Sequence, residues 1–226
     1  NEQSAHLIGG HTLEARSPTP NPASLGLQVA LSVTGTALGA PWPKIGPKVG
    51  DALLLSRPLG TGVLFAAAMA GAANPTDLDR ALQVMNQSQH QLVEALRQSK
   101  DIHACTDITG FGLLGHLGEM LNQDVRLQLE LEQLQAYPGA LTLLGQGYAS
   151  SLAPANRQAW HLLDPNPTTG HAPITLNGSP SRSQLELLVD PQTCGPLLIS
   201  CPQATAIGLI DQGPWRQIGS ARSAHG

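Results

Sequence analysis

The chain has 226 residues, with 12 Lys plus Arg against 16 Asp plus Glu and a formal net charge of −4. With no basic excess, a broad nucleic-acid footprint is not expected. No apolar run approaches the ~20 residues that span a bilayer, and no signal-peptide pattern is found. Charged residues are 12% of the chain, against a usual share of about 25%. Aromatics are only 3%, so the core must be built from Ala, Val, Leu and Ile, and 24 Gly with 18 Pro imply many tight turns. Cys105, Cys194 and Cys201 lack CxxC spacing. They argue against a disulfide framework or structural zinc and for a reducing, cytoplasmic location. The chain starts at Asn1 without an initiator Met and meets Gly-Gly-His within ten residues, which reads as a fragment of a longer protein.

In chain order, IGGHT is followed by a Pro-rich loop and then by LGLQVALSVTG. There Leu25, Leu27, Val29, Leu31 and Val33 recur at period two, the pattern of a strand over 25–35. A Gly/Pro connector ends at Asp51 and is the best domain boundary. ALLLSR (52–57) reads as a buried strand, and Pro58-Leu59-Gly60-Thr61-Gly62 turns into a helix over VLFAAAMAG. One helix is expected over 77–99, with Leu78, Leu82, Met85, Leu92 and Leu96 broadly on one face. A strand over 102–108 leads through a Gly turn into a helix. VRLQLELEQL reads as a strand and LTLLGQGY as a short helix. Residues 154–184, rich in Pro, Asn, Thr, Ser and Gly, read as a long surface excursion. LELLVD is predicted as a strand, PQTCG as a turn and PLLISCP as a strand, then ATAIGLIDQ as a helix and WRQIGSA as a closing strand. Strands and helices mix without strict βαβ rhythm, so the expected class is α+β, a mixed β-sheet packed with helices.

The strongest candidate for chemistry is CTDITGFGLLGHL (105–117). An acidic residue ends a strand and two glycines open a helix, whose N-terminal N–H groups and partial positive charge suit phosphate. Gly110 and Gly112 would let the backbone approach a ligand closely, and Asp107 could hold Mg²⁺, which keeps waters and phosphate oxygens as its other ligands. The same residues fit a plain strand-to-helix turn with Asp107 as cap. Gly9-Gly10-His11-Thr12 could line a nucleotide with backbone N–H groups or form an ordinary turn. RPLGTG (57–62) opens the next helix and could line a nucleotide in the same way, or form a strand-to-helix turn with Thr61 as cap. His116, inside an apolar helix, reads as a packed or interface histidine. Cys194 has no basic partner nearby in the sequence to make it a nucleophile. Asp190-Pro191-Gln192-Thr193 is open between a ligand loop and an Asx-type turn.

GDALLLSRPLGTGVLFAA, ACTDITGFGLLGHLGEML and LLVDPQTCGPLL, in this order, resemble selenophosphate synthetases (selenide, water dikinases), within the aminoimidazole ribonucleotide synthetase superfamily. IGGHT followed by GLQVALSVTG, together with YPGAL, ASSLAPANR and the closing IGS, extends the resemblance over nearly the whole chain except roughly 158–183. The resemblance implies the C-terminal-domain fold of that superfamily. It also implies an enzyme that makes selenophosphate, AMP and phosphate from ATP, water and selenide with Mg²⁺, as a homodimer when full length. It makes Asp107 the metal ligand and Gly9, Gly10 and His11 the ATP-contacting residues; Thr12, Gly110 and Gly112 stay candidate ATP contacts on their own glycine segments. Residues 1–40 would end a truncated N-terminal ATP-binding domain and 41–226 would form the C-terminal domain. The family's reactive Cys or selenocysteine, its Lys and its other aspartates would lie upstream of Asn1. No catalytic residue is therefore assigned, and the fragment is expected to be inactive alone. The alternative is a non-catalytic docking or regulatory domain of a larger fusion protein. The family usually reads DPQTSGG where this chain has DPQTCGP. Pro196 removes an N–H donor, so an altered turn contact is expected there.

Overall fold

A computed structural model describes residues 31–37, 39–99, 101–168 and 170–224. The chain divides into two units, Asn1–Pro41 and Trp42–Gly226. Of the strand expected over 25–35, residues 25–30 lie outside the described ones. Residues 31–35 enter no strand, and Leu31 and Val33 are 87% and 92% exposed.

The second unit is built on a six-stranded sheet. Its strands are β1 (Ala52–Leu55), β2 (Ala104–Asp107), β3 (Val125–Glu130), β4 (Ile174–Asn177), β5 (Leu197–Cys201) and β6 (Arg216–Ser223), in the order β2-β5-β1-β6-β3-β4. All neighbours are antiparallel except the pair β3 and β4. The helices are α1 (Thr61–Met69), α2 (Pro75–Met85), α3 (His90–Gln98), α4 (Gly112–Met120), α5 (Ala140–Gly145), α6 (Ala153–Asn156), α7 (Arg182–Val189) and α8 (Gln203–Gln212). The α+β class with a mixed sheet is what the sequence pattern called for.

β1 explains why its sequence is an unbroken apolar run. Leu53 and Leu55 enter a core shared with α1, α4, α5 and α7, while Ala52 and Leu54 enter a second core with α3 and α8 on the opposite face. A strand covered on both faces has no polar side to show. β3 alternates instead, with Val125, Leu127 and Leu129 buried and Arg126, Gln128 and Glu130 half-buried. One face of that strand packs and the other meets solvent.

Four expectations are corrected. The helix expected over 77–99 is two helices, α2 and α3. Leu78 and Val84 pack on the first core, whereas Leu92, Ala95 and Leu96 pack on the second. The chain therefore changes faces of the sheet between them, which a straight helix cannot do. The Asn74 side chain accepts from the Thr76 N–H at the start of α2, and Ser88 Oγ accepts from the His90 N–H at the start of α3. The strand expected at LELLVD is helix α7. A short run of leucines and valine does not separate strand from helix by periodicity. The decisive feature lies before it: Ser181 Oγ accepts from the Gln184 N–H and Gln184 Oε1 accepts from the Ser181 N–H, a reciprocal cap. The 154–184 excursion holds a 3₁₀ helix, Arg157–Leu163, and the edge strand β4. It is tied down by Trp160 Nε1 donating to Leu185 O and by Arg157 on buried Glu186 at 3.1 Å. The strand expected through VRLQLELEQL stops at Glu130, where a 3₁₀ turn begins at Leu131.

At the β1 start, Asp51 is buried and its Oδ2 accepts from His103 Nδ1, Ser200 Oγ and the Lys48 N–H at 2.8, 2.7 and 2.9 Å. The serine hydroxyl donates to the carboxylate rather than to the imidazole, so this trio ties β1, β2 and β5 together and activates no nucleophile. Among the described residues no helix is long and apolar enough to cross a membrane. Because the α7 cap is reciprocal, Ser181→Ala should lower stability by about 1 kcal/mol. The expected readout is an earlier urea midpoint with an unchanged m-value.

Candidate functional site

Three connections converge at one end of the sheet: residues 56–60 between β1 and α1, 108–111 between β2 and α4, and 190–196 between α7 and β5. β1 and β2 both run antiparallel to β5, which lies between them, so their C-terminal ends emerge at the same edge.

Gln192 holds the three together. Its Oε1 accepts from the N–H groups of Gly60 (2.9 Å) and Thr61 (3.2 Å) and from Thr61 Oγ1 (3.2 Å). Its Nε2 donates to Asp190 O and Oδ2, at 2.8 and 3.1 Å. Its own N–H donates to Thr109 O at 2.9 Å. Thr61 caps in a second way, its Oγ1 accepting from the Thr193 N–H at 2.8 Å. The 190–193 segment is thus a clasp on the first turn of α1, and the Gln192 N–H goes to Thr109 rather than back to Asp190 as an Asx turn would require. Glycines permit the contact. A Cβ on Gly62 would lie 2.4 Å from Pro191 O, one on Gly195 would lie 2.0 Å from Ile108 O, and one on Gly112 would meet the Val189 backbone at 2.7 Å. Arg57 donates to Cys194 O at 2.9 Å and also to Gln87 O. At Pro196 the turn contact runs through its carbonyl, which accepts the Ile108 N–H at 2.9 Å, so the missing proline N–H costs no bond there.

Asp107 ends β2 with its side chain exposed, and no described residue hydrogen-bonds to its carboxylate. Gly110 is half-buried, and Asn156 Nδ2 caps its carbonyl at 2.8 Å. Gly112 is buried against α7 at a φ of +69°. The loop between them is braced from within α4. His116 is buried, and its Nε2 accepts from the Thr109 N–H at 3.1 Å. That contact puts the ring proton on Nδ1, which lies 3.0 Å from Glu119 Oε2, near enough for attraction but out of line for a hydrogen bond. Lys44 Nζ reaches the same oxygen at 3.1 Å. Gly9, Gly10, His11 and Thr12 lie outside the described residues. Among the described residues no three His, Cys, Asp or Glu side chains come together as a metal cluster.

All three cysteines are free thiols. Burial, and then Asp107, push Cys105 up to about 11. Burial, and then Asp51 and Asp101, push Cys201 up to about 12. Neither carries a thiolate at neutral pH, so neither is poised as a nucleophile. Cys194 is exposed in a left-handed turn, φ 48°. Asp190 is 1% exposed. Burial pushes its carboxyl up from 3.8 to about 7, against the N–H groups of Val63 and Gly62 and the Gln192 side chain, which favour the charged form. Its Oδ1 is buried with no hydrogen-bond partner, as suits a carboxyl that is partly protonated at neutral pH.

Residues 48–219 match the family described as AIR synthase related protein, C-terminal domain. The chain belongs to that family. All three connections fall inside the matched span. Among named relatives, a selenide, water dikinase of Desulfitobacterium hafniense is 34% identical over 206 residues, covering 89% of this chain and 53% of that protein. Another from Bdellovibrio bacteriovorus is 33% identical over 214 residues, covering 92% of this chain and 55% of that protein. The chain spans about half the length of these relatives. Among solved structures, hydrogenase maturation protein HypE is similar with a TM-score of 0.51 at 19% identity, over 80% of this chain and 47% of that one. Thiamine-monophosphate kinase from Stenotrophomonas maltophilia is similar with a TM-score of 0.52 at 18% identity, over 80% and 50%. At such identities the likeness is one of fold.

The raised Asp190 carboxyl has a defined pH signature. The folded pKa lies above the unfolded value, so the stabilising contribution is complete below about pH 4 and is lost as pH rises through about 7. Asp190→Asn should flatten that dependence. Between those limits the wild type should lose up to about 4 kcal/mol relative to the variant, because each tenfold difference in proton affinity between the folded and unfolded chain is worth about 1.4 kcal/mol. Urea midpoints across the range measure the difference.

Proposed function

We propose that this chain is the C-terminal part of a selenophosphate synthetase, an enzyme making selenophosphate, AMP and phosphate from ATP, water and selenide. The reading rests on Asp107: an exposed carboxylate with no hydrogen-bond partner among the described residues, at the end of β2 and beside the first turn of α4. The Gly110 and Phe111 N–H groups in the same loop have no partner among the described residues. Free N–H groups at a helix mouth suit a phosphate chain. A single carboxylate suits Mg²⁺, because that ion takes few protein ligands and fills its remaining positions with water and phosphate oxygens. When bound, such an ion would neutralise charge developing on a transferred phosphoryl group. The chain's own part is positional. Asp107 offers one ligand, the loop amides face the phosphates, and His116 with Gln192 fixes the loop that carries both. The names of the relatives at 33–34% identity support the same reaction.

In this reading residues 1–40 close an N-terminal ATP-binding domain, with Gly9, Gly10, His11 and Thr12 contacting ATP, and 41–226 form the C-terminal domain of a cytoplasmic homodimer. The differences from DPQTSGG leave the clasp intact, since Cys194 and Pro196 contribute carbonyl oxygens that any residue supplies. The rival reading is a non-catalytic docking or regulatory domain of a larger fusion protein. The upstream reading frame separates the two, since a Cys or selenocysteine followed shortly by Lys, with further aspartates, belongs to the enzyme.

Two measurements test the proposal. In the full-length protein, Asp107→Asn should reduce AMP release at least about 100-fold, the scale of losing one charge-stabilising group. Its thermal midpoint should stay close to wild type, because the carboxylate makes no bond that holds the fold. Normal AMP release would remove Asp107 from the reaction. The 226-residue chain incubated anaerobically with ATP, Mg²⁺ and selenide should give no selenophosphate signal by phosphorus NMR. Such a signal, growing with protein concentration, would overturn the view that the chemistry needs both domains.

A further inference from the structure

Next to the clasp, where β1 ends and β6 begins, lies a cleft of about 370 Å³. It is bounded by the α2–α3 connection on one side and by residues 133–135 on the other. Arg57 and Arg216 both line it, together with Gln87, Gln91, Gln133 and Gln135, and no Asp or Glu does. In a chain whose net charge is −4, two cations on one cleft without a single acid form a local reversal of sign. Neither arginine takes part in an ion pair among the described residues. Arg57 spends donors on the carbonyls of Cys194 and Gln87, which leaves its charge uncompensated. Arg216 gives Nη2 to Gln133 Oε1 at 3.1 Å, while its Nε is buried with no hydrogen-bond partner among the described residues. A buried guanidinium N–H without an acceptor is costly, and native structures normally satisfy such a group with water, an ion or a ligand.

We propose that this cleft is a binding site for a small polar molecule carrying an oxyanion group, phosphate or carboxylate, held by Arg216 and Arg57. The planar guanidinium fork suits the paired oxygens of either group. The amides of Gln87, Gln91, Gln133 and Gln135 can each donate and accept, so they suit the hydroxyl or amide substituents of the rest of the molecule. The volume falls at the small end of ligand cavities, larger than a bare ion requires. The site uses none of the groups assigned to the Mg–ATP reading and stands or falls without it. Gln89 links the two regions: its Oε1 accepts from Ser56 Oγ at 2.6 Å and its Nε2 donates to Gly195 O at 3.1 Å.

The test is titration of the 226-residue chain, labelled with ¹⁵N in the arginine side chains, with inorganic phosphate, ribose 5-phosphate and citrate in turn. The Arg216 Nε–H signal should move and saturate with at least one of them. Tighter binding of ribose 5-phosphate than of phosphate identifies an organic phosphate. Equal affinities identify the oxyanion itself, and preference for citrate identifies a carboxylate. An Arg216 signal unmoved by all three overturns the proposal. Gln91→Glu serves as the second variant, because Gln91 is exposed on α3 and its replacement puts a negative charge on the rim without touching the core. It should weaken binding roughly fivefold to tenfold, the scale of one charge contact near a surface. Unchanged affinity in this variant, with the fold intact, would put the ligand elsewhere.

Discussion

The end of the sheet that carries Asp107 depends on one side chain, the buried amide of Gln192. Two loops and a helix start, distant in sequence, leave donors and acceptors that solvent cannot reach. This amide and its backbone N–H satisfy them in one stroke: the first turn of α1 through Oε1, the Asp190 carbonyl and carboxyl through Nε2, and the Thr109 carbonyl through N–H. Each such group left unpaired would cost about 1–3 kcal/mol. The glycines at 62, 112 and 195 follow from this constraint, since the backbones it draws together leave no room for a Cβ. A sequence that looks rich in phosphate-binding glycines therefore spends Gly112 and Gly195 on packing backbone against backbone.

Two aspartates near helix N-termini show how burial divides one residue type between two tasks. Asp190 sits against the start of α1, accepts the Gly62 N–H at 3.1 Å and is almost fully enclosed. The helix start and Gln192 favour its charge, but burial opposes it more strongly and lifts the carboxyl to about 7. Asp107 stands exposed beside the start of α4. The enclosed group joins α7 to α1. The exposed one keeps its carboxylate free of hydrogen bonds from the described residues. His116 lends that second carboxylate rigidity from behind by fixing the Thr109 N–H one turn away.

Much of this was legible in the sequence, and the exceptions share a cause. β1, β2 and β5, with α1 and α4, are each announced by a local signal: an unbroken apolar run, or glycines at the turn into a helix. The TDITGFG segment marked the loop with the exposed carboxylate because that signal is contiguous. LELLVD misled because four apolar residues in six carry no period; the Ser181–Gln184 cap directly upstream was readable and outweighs them. The 77–99 segment misled because its leucines serve two different cores, and nothing local says that the chain crosses the end of the sheet at Gln89. β4 was hidden because it is four residues long and pairs with β3 across nearly fifty residues of sequence. Gln192 was beyond reach for the same reason, with partners about 130 positions away. The His116–Glu119 pair, at i,i+3 on one helix, was available and is the one piece of the loop's support that spacing alone could have supplied.

The arrangement also bears on what such a domain can do by itself. A divalent ion held through one exposed carboxylate gains little from the protein, because exposed charge pairs are worth about 1 kcal/mol or less. Most of its binding must come from ligands that converge on it from elsewhere, phosphate oxygens and the carboxylates of a facing surface. The loop is braced by Gly112 packed against Val189, by buried His116 on the Thr109 N–H, and by Asn156 and Gln192 on the Gly110 and Thr109 carbonyls. On the proposed reading, such a loop would present one ligand to a partner surface that brings the others. Stiffness of this kind lowers the cost of assembly when the rest of the site arrives, since the ordering has been done in folding rather than at the moment of binding.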